Sequence, residues 1–289
     1  MKTYSKSLFI FRRDLRLHDN TGLNQALSQS QQVIPGFIFD PQQIQPHPYQ
    51  SQPGLVFMLE SLASLQQEFS QREAKLALFH AEPEAVISQL FTEQKIEAVY
   101  FNRDYTPFSR QRDEKITRLC HSLGIDVYSI PDALLHEPEQ CLKTDSTPYK
   151  VFTAFYNNAR QIPVALVQPL QTGQFFNLET GVNLTQFSSE NLFNTAIIKG
   201  GRESAFTALR CLHDCQDYET ERDIPALDSC SKLSVHLKFG TCSIREAYYS
   251  ILTQMGSEHP LLRQLYWRDF FHHLAYHFPF VFERAFLPQ

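Results

Sequence analysis

Three clusters in this sequence combine residue types and spacings that could do chemistry. The first follows an apolar run near the start of the chain. Phe11-Arg-Arg-Asp-Leu-Arg-Leu-His-Asp-Asn20 sets Arg12, Arg13 and Arg16 among Asp14 and Asp19. Such a loop can hold an anion or lock itself to its neighbours. Composition alone favours a plainer arrangement, in which Asp19 or Asn20 caps the next helix and the arginines pair at the surface. The second cluster is Tyr218, Arg222 and the run Cys230-Ser231-Lys232-Leu233-Ser234, followed by Lys238 and Gly240. Two serines three apart before an apolar helical run mark a helix N-terminus. Free backbone N–H groups, two hydroxyls and Lys232 there suit a pyrophosphate. The alternative is that Ser231 only caps a helix. The third cluster runs from Arg263 through Gln264, Trp267 and Arg268 to His273. Trp267 is the only tryptophan, and an aromatic plane beside a guanidinium is what stacking on an unpaired base and holding its phosphate requires. A core aromatic on an amphipathic helix is the ordinary alternative.

Other classes are excluded. The chain contains no G-x-G-x-x-G and no G-x-x-x-x-G-K-[ST], which removes dinucleotide dehydrogenases and P-loop NTPases. His273 and His277 share a helix face without a third ligand, and Cys211, His213 and Cys215 lack further partners, so no metal is expected. The formal charge of −5 provides no basic field over the whole molecule, and any DNA contact must be a local patch. Six scattered cysteines without a C-x-x-C pair read as free thiols of a reducing compartment. The run from Leu8 to Phe11 is too short for a signal peptide, and no stretch approaches a membrane span. A soluble cytoplasmic protein, with no membrane contact, is expected.

The elements that must position these clusters fall into two patterns. Short β-rich runs at 7–11, 33–39, 76–80, 98–102 and 126–130 alternate with helical stretches at 21–28, 55–72, 84–93 and 109–123. Continuous apolar strands separated by amphipathic helices predict a doubly wound, five-stranded parallel sheet of Rossmann-like type over residues 1–132. Leu55, Leu59, Leu62, Leu65 and Phe69 share the side of one helix that packs on such a sheet. Residues 133–195, rich in proline, read as a connector over the surface with one helix at 151–160. From 196 to 289 the pattern is helical, at 205–212, 244–255 and 261–277.

The clusters, in this order, resemble the photolyase/cryptochrome family, most of all a bacterial deoxyribodipyrimidine photolyase. Residues 11–20 resemble its opening signature, and Asn102-Arg-Asp-Tyr-Thr-Pro107 the loop after its fourth strand. Gly200-Gly201, Arg222-Asp-x-Pro225, Ser231-Lys-Leu-Ser234, Lys238-Phe-Gly240 and Trp267-Arg-Asp-Phe270 resemble the start of its flavin domain. The resemblance implies an α/β antenna domain followed by an all-helical domain that binds FAD and UV-damaged DNA. It implies light-driven repair of pyrimidine dimers by electron transfer from reduced FAD. Matched by position, Tyr218 and Cys230, Ser231, Lys232, Leu233 and Ser234 stand as flavin contacts. Arg222 and Arg268 stand as DNA contacts, Trp267 as the wall against which a flipped lesion packs, and Gln264 with Trp267 as the catalytic pair.

Departures from the family carry weight. Cys230 replaces a common threonine, and Gln264 stands where enzymes for cyclobutane dimers usually have glutamate, so the lesion, cyclobutane or (6-4), stays open. The polar pair of the folate-binding branch is missing near Phe108 and Ser109, which leaves a deazaflavin, a flavin or no antenna as the second chromophore. Family members continue well beyond residue 289, so a C-terminally truncated helical domain is expected, with a separate chain as one way to supply the remainder. A cryptochrome-type light sensor and an inactive remnant in which only the α/β domain folds are the competing readings.

Overall fold

The structure, a computed structural model, describes residues 2–45, 51–187, 198–224, 226–227 and 229–286. β1 (Tyr4–Phe11), α1 (Thr21–Gln29), β2 (Ser30–Phe39), α2 (Pro41–Ile44), α3 (Gln52–Ser70), β3 (Ala77–His80), α4 (Pro83–Gln94), β4 (Ala98–Asn102), α5 (Pro107–Leu123) and β5 (Asp126–Ile130) alternate as expected. All strands pair in parallel in the order β3-β2-β1-β4-β5. Successive strand residues face opposite sides. Phe9 and Phe11 therefore pack with Leu59, Leu62, Leu65 and Phe69 of α3 on one face. Leu8 and Ile10 pack with Val86, Ile87 and Leu90 of α4 and Ile116 of α5 on the other. The helix ends follow local chemistry. The Asn20 side chain accepts from Leu23 N to cap α1, Thr106 caps α5 ahead of Pro107, and Gly124 ends α5 at φ +73°.

The connector differs from its expected form. It adds a sixth strand, β6 (Gln174–Phe175), which pairs with β2 at Gln32 and Val33, below the stretch that β3 covers from Gly36 onward. Two residues are too few to show a strand period. Nor is the connector a surface strap. Phe152 and Phe155 of α6 (Phe152–Ala159) are buried with Leu135 and Cys141 in the core of the helical part. Leu170, Phe175 and Phe187 return to the sheet, where Phe187 stacks on Phe39 at 3.8 Å. The expected boundary between residues 195 and 196 lies outside the described residues.

The helical part comprises α7 (Arg202–Arg210), a 3-10 turn at Cys211–Cys215, α8 (Tyr218–Glu221), α9 (Leu233–Phe239), α10 (Ile244–Met255), α11 (Pro260–His277) and a last 3-10 turn at Pro279–Phe282. It is welded to the sheet layer. Gly200 and Gly201 donate to Glu60 and Ser61 of α3, and a Cβ on Gly200 would collide with the Phe57 carbonyl oxygen. Gly240, at φ +67°, approaches the loop after β1 so closely that a Cβ would collide with the Arg13 carbonyl oxygen. Arg16 pairs with Asp132 at 2.6 Å, and Arg245 bridges Asp132 and Asp19 at 2.8 Å each. Arg202 and His18 share Glu246, at 2.5 and 3.0 Å. Part of the first sequence cluster therefore serves as a lock between the two layers.

Candidate functional site

A cavity of about 610 Å³ opens where the carboxyl ends of β1, β4 and β5 meet the helical part. The chain leaves β1 toward α1 and β4 toward α5 on opposite faces of the sheet, and open α/β sheets place their ligand crevice at this switch point. From the sheet side come Arg12, Arg13, Asp14, Asn102, Asp104 and Asp132. From the helices come Tyr218, the run from Cys230 to Ser234, Lys238, Gln264, Arg268 and His272.

The acids of the wall are already engaged. Burial would raise Asp132, but Arg16 and Arg245 outweigh it and hold the carboxyl down at about 2. Asp14 accepts from Arg12 N at 2.6 Å and from the Asn102 amide at 2.6 Å, yet burial pushes it up to about 6. Asp104 pairs with Arg13 at 3.5 Å and accepts from Ser109 at 2.8 Å. Burial opposes these contacts, but together with Arg112 they lower its pKa. Arg12, Arg13, Lys232, Lys238 and Arg268 bring an excess of positive charge to the same wall. This suits a ligand carrying several negative charges.

The expected flavin contacts Tyr218, Cys230, Ser231, Lys232, Leu233 and Ser234 all line this one cavity, as do Gln264 and Arg268. Ser231 is not the cap of α9, because Lys232 holds that position at φ +54° and no side chain caps the helix. Trp267 and Arg268 are placed differently from these. Trp267 does not line the cavity and stacks on Phe152 at 3.6 Å and 7°, so one face of the expected lesion wall is covered. The reason is helical geometry: Gln264 and Arg268 are four apart on one stripe, and Trp267 sits about 100° round from Arg268. Arg268 lines the cavity, and its guanidinium donates to the Ala133 carbonyl at 2.6 Å. Arg222 is exposed beside the Tyr218 ring, off the cavity wall.

Sequence reasoning does not single out His272, although the four-residue step from Gln264 through Arg268 leads directly to it. Lys238 stands out there only as part of a motif. A second cavity, of about 590 Å³, lies between the carboxyl ends of β1 and β2 and the starts of α3 and α5. Arg12, Arg13, Asp104 and Lys238 line both cavities, and Phe37, Phe39, Phe108 and Arg112 line the second alone. There Arg12 lies 3.9 Å over the Phe101 ring and pairs with Asp113 at 2.8 Å. Burial and the neighbouring Arg112 push it down to about 10. Among the described residues no group of three or more His, Cys, Asp or Glu side chains could hold a metal ion, and no helix is long and apolar enough to cross a membrane.

An open parallel sheet facing helices across a cationic cavity defines a class, an α/β-plus-helical protein with a cavity between its parts. The chain belongs to the DNA photolyase family, whose model matches residues 7–173. It is 33% identical to a deoxyribodipyrimidine photo-lyase of Synechococcus sp., over 94% of this chain and 60% of that protein. Its fold superposes on an archaeal photolyase of Sulfolobus tokodaii with a TM-score of 0.84 at 40% identity, covering 97% of this chain and 62% of the other; that structure holds two FAD molecules, with a novel light-harvesting cofactor implied. A class III photolyase of Agrobacterium tumefaciens gives a TM-score of 0.85 at 25% identity, covering 99% and 61%. The chain thus spans about 60% of the length of these curated relatives.

Proposed function

We propose that this chain carries the antenna-type α/β domain (1–132), the connector (133–195) and the first helices (196–289) of a light-driven DNA photolyase. The observation that carries the reading is the convergence of Tyr218, Cys230, Ser231, Lys232, Leu233, Ser234 and Gln264 on one cavity whose acids are already paired. The donor set fits FAD. The hydroxyls of Ser231 and Ser234, with Lys232 and Lys238, would hold its phosphates, and Tyr218 would pack beside them. Cys230 contributes a thiol where a hydroxyl would bond more strongly. Bound in its reduced form, the dinucleotide would supply one-electron reduction of a pyrimidine dimer under light.

The chain's own residues would bind and orient. Gln264, a neutral amide on the cavity wall, can hydrogen-bond a flipped base but cannot pass it a proton. Exposed Arg222 would meet a DNA phosphate. In the conformation described here, Trp267 and Arg268 would have to turn from Phe152 and Ala133 to serve the lesion. The second cavity, with Arg12, Arg112 and their aromatic neighbours Phe37, Phe39 and Phe108, would take a planar anionic antenna chromophore such as a flavin. Phe271 and Phe282, 60% and 54% exposed, offer apolar surface to the remaining length of a photolyase helical unit, in the same polypeptide or a separate chain. Six free cysteines accord with a cytoplasmic setting.

The test is spectroscopic and functional together. Purified protein should carry or take up FAD and should repair irradiated oligothymidylate only in light. Flavin uptake without repair would favour the light-sensor reading, and absence of uptake would sink both.

A further inference from the structure

We propose that His272 is a cofactor-contacting residue, its Nε2 accepting a hydrogen bond from an N–H group of the dinucleotide in the first cavity. This deepens the reading of that cavity as an FAD site and rests on it. His272 lies on the cavity wall, one turn beyond Arg268 and two beyond Gln264 on α11. Its Nδ1 is 2.8 Å from the Arg268 carbonyl oxygen. A carbonyl only accepts, so Nδ1 carries the proton and Nε2 keeps the lone pair.

The surroundings hold the ring in this form. Arg268 on its own helix and Arg13 from the loop after β1 oppose a second proton, Asp104 from the loop after β4 favours one, and Tyr105 meets the ring edge-on at 5.7 Å. Burial first, then Arg268, push the imidazole down to about 4, so it stays neutral at physiological pH.

The inventory of the wall shows why such an acceptor matters. The carboxylates of Asp14, Asp104 and Asp132 are spent on partners within the protein, and the Asn102 carbonyl oxygen accepts from Gly22 N. Arg12, Arg13, Lys232, Lys238 and Arg268 can only donate. Besides the wall's hydroxyls, His272 Nε2 and the Gln264 amide are the side-chain acceptors without a partner among the described residues. An amine or imide N–H of a ligand entering this cavity loses water and needs such an acceptor.

The test is FAD affinity, read by quenching of flavin fluorescence, for the wild-type chain, His272→Phe and His272→Gln. Glutamine restores an acceptor near the Nε2 position and phenylalanine does not. The phenylalanine variant should bind about tenfold more weakly, the size of one lost hydrogen bond, with the glutamine variant within about threefold of wild type. Should His272→Phe fail to fold, His272→Leu takes its place. Equal affinity in all variants, or equal loss in both substitutions, would overturn the assignment of His272 alone. Wild-type protein that takes up no FAD would overturn the cofactor reading and this inference with it.

Discussion

Arg16 and Asp132 meet at 2.6 Å with their side chains 2% and 3% exposed, one on the loop after β1 and the other just beyond β5. Arg245 of the helical part closes on the same carboxylate at 2.8 Å. The ion network therefore joins the loop after β1 and the segment after β5 to a helix that packs against them, and its Asp132 lies on the wall of the first cavity.

Removing one partner of a buried pair strands the other charge. Arg16→Ala should lower stability by about 3–5 kcal/mol in urea unfolding. Because the network spans both layers, the wild-type chain should unfold in one transition, whether followed by Trp267 fluorescence or by far-UV circular dichroism. Two separated transitions would restore the reading in which the α/β layer folds alone.

Two glycines at positive φ give a paired test. Gly124, at φ +73°, has nothing within 4 Å of the position an added methyl would take, so Gly124→Ala should cost only the left-handed penalty of about 1–2 kcal/mol. Gly240, at φ +67°, adds a collision with the backbone of Arg13 and Asp14, and Gly240→Ala should cost clearly more than Gly124→Ala in the same unfolding assay. Equal costs would contradict the close approach of the two layers at Gly240.

Acid should destabilise the protein earlier than carboxylate titration alone would. Burial pushes His136, His236, His272 and His273 down to about 4, so between pH 6.5 and 4 the unfolded chain binds more protons and stability is lost as pH falls. Asp14 and Asp269, raised by burial to about 6 and about 7, run the other way and gain stability over the same fall. Glu68 and Glu137, also raised by burial, run with these two acids, but the four histidines, shifted through most of the interval, dominate. The melting temperature should drop from pH 6.5 to 4.5, and His236→Gln should flatten that slope. Asp132 and Glu246, held at about 2 by their arginines against burial, add a further loss only below about pH 4. A melting temperature that rises over this interval would contradict the assignment of neutral buried histidines.

Much of this architecture is legible in the sequence. The strands at 98–102 and 126–130 and the helix at 244–255 match their expected bounds because continuous apolar runs and a 3.6-residue period are strong local signals. β6 is invisible there because two residues carry no period, and so is the burial of Phe152, whose core partner Trp267 lies more than 100 residues away. Residue type brings Tyr218 and the run from Cys230 to Ser234 to notice, but adjacency misleads at Trp267. Neighbours in sequence on a helix point apart, and the stripe that faces the cavity is Gln264, Arg268 and His272.

The central claim is that the cavity between the layers grips the phosphates of FAD. Its most direct test is to titrate FAD and riboflavin, which lacks phosphate, into the wild-type chain and into Ser231→Ala/Ser234→Ala protein. The double variant should lose about tenfold or more in FAD affinity while riboflavin binding stays unchanged. Equal FAD affinity in both proteins, or a parallel loss for riboflavin, would contradict it.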